Sequence, residues 1–301
     1  MSVIVFGSAN IDAVMRVAHL PRPGETVAGR DLVYLPGGKG ANQAIAAARF
    51  GVPTRLLGAV GCDDHGETMR AYLIGAGVDV AGLATLPGPT GLAQICVEDA
   101  GENQIVVIAG ANGGVTAPAA GSVAAGDVAL VQMELPPQVV ERFLADAAQS
   151  GALTILNTAP ALIEARGIMP HADIVVLNET ELAFYLGHDL PDDTGAIARA
   201  AKGLICRAGQ RIVVTLGAAG VVATDADGHV VSVAAPRVAV VDTVGAGDCF
   251  CGVLAAALAQ GQAFDAALRL GVAAAAIAVQ RVGAGSSMPL RAEIPDFGAL
   301  A

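Results

Sequence analysis

The chain has 301 residues, 54% of them hydrophobic, with 17 basic against 28 acidic side chains and a formal net charge of −11. That balance excludes a nucleic-acid partner, because phosphate backbones need clustered Lys and Arg. No uninterrupted apolar run reaches the roughly 18 residues that cross a bilayer, so no membrane partner is expected. The N-terminus shows no charged leader with an apolar segment behind it. Five cysteines, at 62, 96, 206, 249 and 251, form no CxxC or His-rich cluster, and we expect reduced thiols and a cytoplasmic location.

Residues 2–6 read as a strand that runs into Gly7-Ser8-Ala9-Asn10-Ile11-Asp12. The Gly-x-Gly-x-x-Gly of a dinucleotide-binding turn is missing there. Asn10 and Asp12 lie two apart on an extended segment, so their side chains share a face. They suit sugar hydroxyls, or else they form a solvated Asx turn. Residues 13–36 alternate loosely and are broken by Pro21, Pro23 and Gly24, which suggests short strands outside the main layers. Next comes Pro36-Gly37-Gly38-Lys39-Gly40-Ala41-Asn42-Gln43-Ala44, opening an Ala-rich helix that ends at Phe50. Neither its spacing nor the residue after Lys39 fits a Walker loop. Its glycines still let backbone approach a ligand. Lys39 is one of only two lysines in the chain, and with Asn42 it flanks the helix start.

Further on, strands and helices alternate. Strands are expected at 56–61, 128–134, 153–156, 174–177 and 212–215, and helices at 64–77, from Pro136-Pro137 to about 150, at 179–187 and at 194–209. Residues 91–97 and 105–108 flank Asp99-Ala100-Gly101-Glu102-Asn103, a hairpin pattern. The two ribbons, at about 13–35 and 91–110, are expected to form one small sheet over a site. The alternation elsewhere predicts an α/β fold: a doubly wound, mainly parallel sheet covered by helices on both faces. Ligands of such sheets lie beyond the carboxyl ends of the strands. Asn10, Asp12, Glu134, Asn157, Asn178, Thr215 and Asp248 come from dispersed positions to that one edge.

Two of these positions carry plain alternatives. Asn178-Glu179-Thr180-Glu181 is either a ligand contact or a helix cap with first-turn acids. Thr215-Leu216-Gly217-Ala218-Ala219-Gly220 either lies against a ring or phosphate or makes a simple hairpin turn. None of the five histidines has metal or triad spacing. The segment Val240-Val241-Asp242-Thr243-Val244-Gly245-Ala246-Gly247-Asp248-Cys249-Phe250 is a β-branched run, a small-residue turn and a helix expected from Cys249 to Gln260. Such a turn aims unpaired N–H groups at an anion. Asp248 at its mouth is either a base for a hydroxyl attacking phosphorus or an N-cap.

Together these motifs resemble the ribokinase-like, or phosphofructokinase-B type, carbohydrate kinase family over about residues 2–295. The most specific parts are Gly37-Gly38-Lys39-Gly40-Ala41-Asn42-Gln43 and Asp242-Thr243-Val244-Gly245-Ala246-Gly247-Asp248. Gln132-Met133-Glu134, Gly101-Glu102-Asn103 and Gly110-Ala111-Asn112 resemble the members that phosphorylate ribose rather than those acting on fructose or adenosine. The resemblance implies one domain over 1–301 with a small β-sheet lid. It implies ATP-dependent phosphorylation of D-ribose at its primary hydroxyl, with Asp248 as base and Gly245, Ala246 and Gly247 as anion hole. Asn10, Asp12, Gly38, Lys39, Asn42 and Glu134 would hold the sugar, and Asn178, Thr215, Gly217 and Gly220 the nucleotide. Glu181 would organise Mg²⁺ through water. Asp242, Val244, Ala278, Arg281, Gly283 and Ser287 would surround K⁺; the alternative is that Asp242 only hydrogen-bonds loop N–H groups and no ion is present. The lid would also pair two subunits into a homodimer. Ala218 departs from the Ser common in the family, which removes one nucleotide contact. The alternatives are a kinase for deoxyribose, fructose or tagatose, a nucleoside kinase, which 3% aromatic residues disfavour, and a silent sugar-binding regulator, which an intact Asp248 disfavours.

Overall fold

The computed structural model describes residues 1–119 and 121–295, so the last residues of the expected 1–301 domain lie outside the described residues. Strand β1 (Val3–Phe6) leads into β2 (Asn10–Val17), β3 (Gly29–Gly37) and helix α1 (Lys39–Arg49). Then follow β4 (Thr54–Gly61), α2 (Asp64–Gly75), β5 (Leu83–Leu86), β6 (Gly91–Glu98) and β7 (Asn103–Ile108). The middle of the chain supplies β8 (Val128–Gln132), α3 (Pro137–Gln149), β9 (Leu153–Asn157), α4 (Ala165–Ile168), β10 (Ile174–Asn178), α5 (Glu179–Leu186) and α6 (Thr194–Ala201). The last elements are β11 (Arg211–Thr215), β12 (Val221–Asp225), β13 (Val230–Val233), α7 (Ala246–Ala259) and α8 (Phe264–Ala278).

Nine strands form one sheet in the order β13-β12-β11-β10-β9-β8-β1-β4-β5. Every pair from β5 to β11 is parallel, and β12 and β13 add antiparallel to that edge. The inner parallel strands β1, β8, β9 and β10 are short apolar runs that are almost wholly buried, as helices on both faces require. Alternation along β1 separates two cores. Val3 and Val5 join Ala44 of α1, Met69 of α2, Val253 of α7 and Leu268 of α8. Ile4 and Phe6 join Phe143 of α3, Ile168 of α4, Leu182 of α5 and Ile197 of α6. Among the described residues, no helix is long and apolar enough to cross a membrane.

The doubly wound, mainly parallel α/β architecture is therefore present as expected. Strands β5 and β13 are not expected from the sequence, and β12 is expected only as the second arm of the hairpin alternative at 215–220. Several boundaries also differ. The strand expected at 128–134 ends at Gln132 and leaves Met133 and Glu134 in the following turn. The helix expected at 194–209 ends at Ala201 and passes into a single 3₁₀ turn. Helix α7 begins at Ala246 rather than Cys249, because Gly245 at φ 77° adopts the left-handed cap conformation that a Cβ would oppose.

Strand β1 lies between β4, which the chain visits first, and β8, which it visits later. The winding direction reverses there, and the crevice beyond the carboxyl ends at such a point is where open α/β sheets bind ligands. A second sheet of four strands, β3-β2-β6-β7, grows out of the same place. Strand β2 pairs antiparallel with β3 and parallel with β6, and β6 pairs antiparallel with β7. Asn10 and Asp12 thus belong to the small sheet, paired with Gly37 and Leu35 on one side and Gly91 and Ala93 on the other.

Candidate active site

Two glycine turns point at the crevice, and they differ in what their backbone donors meet. At the start of α1 the protein itself takes the N–H groups. Lys39 N–H donates to Glu134 Oε2 (3.0 Å), Gly40 N–H to Ser8 Oγ (3.3 Å) and Ala41 N–H to the Ser8 carbonyl (2.9 Å). Ser8 Oγ in turn donates to Glu134 Oε2 at 2.5 Å. The bond between Ser8, just past β1, and Glu134, just past β8, closes the floor of the crevice. This turn is filled by side chains and is not an open phosphate cradle.

The start of α7 is the opposite case. Ala246 N–H returns to the Thr243 carbonyl at 3.3 Å and Cys249 N–H to the Gly245 carbonyl at 2.8 Å. The N–H groups of Gly247 and Asp248 make no hydrogen bond within the described protein. Two free donors and the positive end of a helix dipole suit an anion. Asp248 is in the first helical turn and is not the N-cap, which removes the capping alternative. Its carboxylate is 7% exposed and accepts from two amides on α1. Asn42 Nδ2 reaches Oδ2 at 3.0 Å, and Gln43 Nε2 reaches Oδ1 at 2.9 Å.

The sugar-side candidates gather around these groups. Asn10 is buried, and its Oδ1 accepts from Asn112 Nδ2 at 2.7 Å. Asn112 Oδ1 is held by the Ala9 N–H at 3.0 Å. Burial, reinforced by the charges of Glu134 and Asp248, pushes the Asp12 carboxyl up to about 6. The charge of Asp248 holds the Lys39 ammonium above its usual value, against burial and with help from Glu134 and Glu181. Gly38 ends the turn before α1, as its N-cap.

Of the nucleotide and Mg²⁺ candidates, Asn178 and Glu181 form a reciprocal capping box at the start of α5. Glu181 N–H donates to Asn178 Oδ1 (2.8 Å) and Asn178 N–H to Glu181 Oε2 (3.0 Å). The cap alternative is thus realised in the geometry. The buried Glu181 carboxyl lies above its usual range, chiefly through desolvation, and among the described residues Oε1 takes part in no hydrogen bond. Thr215 Oγ1 donates weakly to the Leu177 carbonyl at 3.5 Å. Gly217 and Gly220 bound the turn of the β11–β12 hairpin, closed by Leu216 N–H to the Gly220 carbonyl at 2.8 Å, so the hairpin alternative is also realised.

Asp242 bridges two loops. Its carboxylate accepts from Val244 N–H (3.0 Å) and Gly283 N–H (2.9 Å), and its own N–H joins the Val279 carbonyl (3.1 Å). This brings Asp242 and Val244 beside the 278–288 segment. Several carbonyls of that segment are already engaged. Arg49 takes those of Gly285, Ser286 and Met288, Arg281 Nη1 takes that of Ser287, and Arg281 N–H takes that of Ala278. Among the described residues, no group of three or more His, Cys, Asp or Glu could hold a metal ion.

The sequence matches the family model described as pfkB family carbohydrate kinase over residues 1–291. The chain belongs to that family. This kinase is 36% identical to the ribokinase of Haemophilus influenzae over 305 residues, covering 98% of each chain. It superposes on the ribokinase of Thermotoga maritima with a TM-score of 0.88 at 31% identity, again over 98% of each chain. It also resembles an Arabidopsis thaliana ribokinase complexed with ribose and ATP, with a TM-score of 0.87, 30% identity and 97% of each chain covered.

Four residues of the site had no role in the sequence reading of this kinase: Ser8, Gln43, Asn112 and Asn157. Gln43 and Asn112 are visible only as the last residues of motif strings, and Asn157 as a polar strand end. Ser8 looks like an ordinary turn residue until the fold sets Glu134 against it.

Proposed function

We propose that this kinase transfers the γ-phosphoryl group of ATP to the 5-hydroxyl of D-ribose, giving ribose 5-phosphate and ADP. The observation that carries the reading is Asp248, a buried carboxylate in the first turn of α7 beside the free N–H groups of Gly247 and Asp248. The sugar's oxygen attacks the γ-phosphorus, its proton passes to the Asp248 carboxylate, and the bond from phosphorus to the ADP oxygen breaks. The protein's task in such a transfer is alignment and charge stabilisation rather than covalent chemistry. Gly247 and Asp248 N–H groups, with the Gly245-Ala246-Gly247 turn behind them, face the moving group. Asn10, Asp12, Gly38, Lys39, Asn42 and Glu134 hold the sugar hydroxyls, and Asn178, Thr215, Gly217 and Gly220 hold the nucleotide. The free Oε1 of Glu181 suits a water ligand of Mg²⁺, which when bound offsets phosphate charge. Relative kcat/KM for ribose, deoxyribose, fructose, tagatose and adenosine tests the assignment. Ribose should lead, and a higher value for any other member of the panel would displace it.

We assign Asp242, Val244, Ala278, Arg281, Gly283 and Ser287 to the surroundings of a K⁺ ion that adds positive potential behind the anion hole. Two loops crossing at one carboxylate support this. With Mg²⁺ and ATP fixed, turnover should be faster in potassium than in sodium or a bulky organic cation at equal ionic strength. Equal rates would remove the site. The small sheet is the lid and the seat of a homodimer. Leu32, Val33, Tyr34 and Leu35 on β3 and Ile105, Val106, Val107 and Ile108 on β7 are all at least 40% exposed, an apolar edge sheet that proteins usually cover. Light scattering at micromolar concentration should give a dimer, and a monomer would count against this seat. All five cysteines are free thiols, in keeping with the cytoplasm.

Asp12 makes the pH dependence specific. Its folded value of about 6 lies above its ordinary 3.8. Its protonated form therefore favours the unliganded fold at low pH, and that contribution is lost as pH rises through about 6. Sugar hydroxyls donating to the ionised carboxylate restore the balance. The rise in melting temperature produced by saturating ribose should be larger at pH 8 than at pH 5, and the ribose KM should climb below about pH 6. A ligand shift independent of pH would remove Asp12 from the sugar contacts.

A further inference from the structure

Asp248 is held by a chain of buried amides whose direction is set on the backbone. Asn157 Nδ2 donates to the Val176 carbonyl of β10 at 3.2 Å, so its Oδ1 must face the other way. That Oδ1 accepts from Gln43 Nε2 at 3.1 Å. The same Nε2 donates to Asp248 Oδ1 at 2.9 Å. Gln43 Oε1 is engaged in turn by Gln132 Nε2 at the end of β8. A flipped Gln43 amide would set oxygen against two acceptors on one side and nitrogen against a donor on the other, which costs buried hydrogen bonds. Both Gln43 and Gln132 are fully buried. The backbone of α1 is pinned as well. A Cβ placed on Gly252 of α7 would lie 2.4 Å from the Gln43 carbonyl oxygen and 2.7 Å from Ala46 Cβ. The two helices therefore meet almost backbone to backbone at the level of this contact.

From this geometry we infer that Gln43 is a positioning residue, which fixes the rotamer of the Asp248 carboxylate through a relay running from β10 and β8 across α1 to α7. The inference rests on Asp248 being the base of the proposed reaction. Gln43 does not need to touch the sugar. It is separated from the crevice by Asp248 itself in hydrogen-bond order, whereas Asn42, the other amide on the carboxylate, is among the sugar-side residues. Holding an acceptor to within a fraction of an ångström of its hydroxyl is worth large factors in rate, since misplacement of about 1 Å costs up to roughly 10²-fold.

The test is Gln43→Met, which keeps chain length and volume while deleting both polar ends. Activity is measured per folded molecule after a thermal melt. We expect kcat for ribose to fall roughly 10- to 100-fold with the ribose KM within about threefold of the parent, the split expected when a transition-state contact is lost. In the Asp248→Asn background the same change should lower the residual rate no further, because Gln43 acts only through the carboxylate. A parent-like kcat in Gln43→Met, with Asp248→Asn inactive, would overturn the positioning role and leave the proposed reaction standing. An additional loss in the double variant would assign Gln43 a merely structural part. An active Asp248→Asn would instead overturn the proposed reaction. If Gln43→Met does not fold, Gln43→Glu, whose added charge opposes Asp248 but retains the shape, must show the same kcat-specific loss for the inference to stand.

Discussion

Asp248→Asn should lower kcat for ribose about 10²- to 10⁴-fold, the range for loss of a general base. The substitution keeps size, shape and position in the first turn of α7, so the fold should survive. One consequence is particular to this structure. Asn42 Nδ2 and Gln43 Nε2 both donate to the Asp248 carboxylate. An asparagine can accept only one of them and presents its own NH₂ to the other, so one α1 amide loses its partner. A modest fall in melting temperature is therefore expected along with the kinetic loss, with ATP affinity nearly unchanged. The two readings are separable by assaying the fraction still folded. Parent-like turnover per folded molecule would show that the carboxylate serves the helix and not the reaction.

Lys39→Met should lower kcat/KM about 10²- to 10³-fold, the scale for removing one preorganised charge from a polar transition state. Lys39 stands among carboxylates. Asp248, Glu134 and Glu181 all act on its ammonium, Asp248 most strongly, and Asp12 feels the charges of Glu134 and Asp248. Methionine preserves the aliphatic stem and deletes only the charge. The crevice would then confront a polyphosphate with four acids and no ammonium to offset them. Glu181, whose carboxyl the Lys39 charge pulls down against burial, should move further up. Kinetics with ATP and ribose varied in turn decide this, and a change below tenfold in kcat/KM would mean that the ammonium is screened from both substrates.

The main sheet was legible because fully buried parallel strands leave a strong local mark, such as Val128-Ala129-Leu130-Val131 or Ile212-Val213-Val214 between turns. Strand β5 left none, being four residues with only Leu83 buried. Strand β12 is as long as β11 and at least as buried, but it and β13 form an antiparallel edge behind a glycine turn that reads equally well as a ligand loop. The α7 boundary is hidden in the sequence because Ala246 and Gly247 look like turn residues, and their helical conformation follows from Gly245 at the cap. The reactive half of the site was legible as rare residues in odd places: a lone lysine in a glycine turn, an acid after Gly-Ala-Gly. The contacts that position the base were not. Asn42 meets Asp248 across 206 positions of chain and Gln43 meets it across 205. An interior glutamine in an Ala-rich helix carries no periodic signature. Such a residue acquires meaning only when packing brings a carboxylate to it.

Phosphorus NMR of the product formed from ATP and D-ribose addresses the central claim most directly, since a base fixed at the mouth of the α7 turn must select one hydroxyl. One phosphomonoester coupled to the two protons on C5, formed in step with ADP, is the result expected from Asp248 acting on the primary hydroxyl. Phosphate on the anomeric carbon, or ADP and free phosphate without a sugar ester, would contradict it.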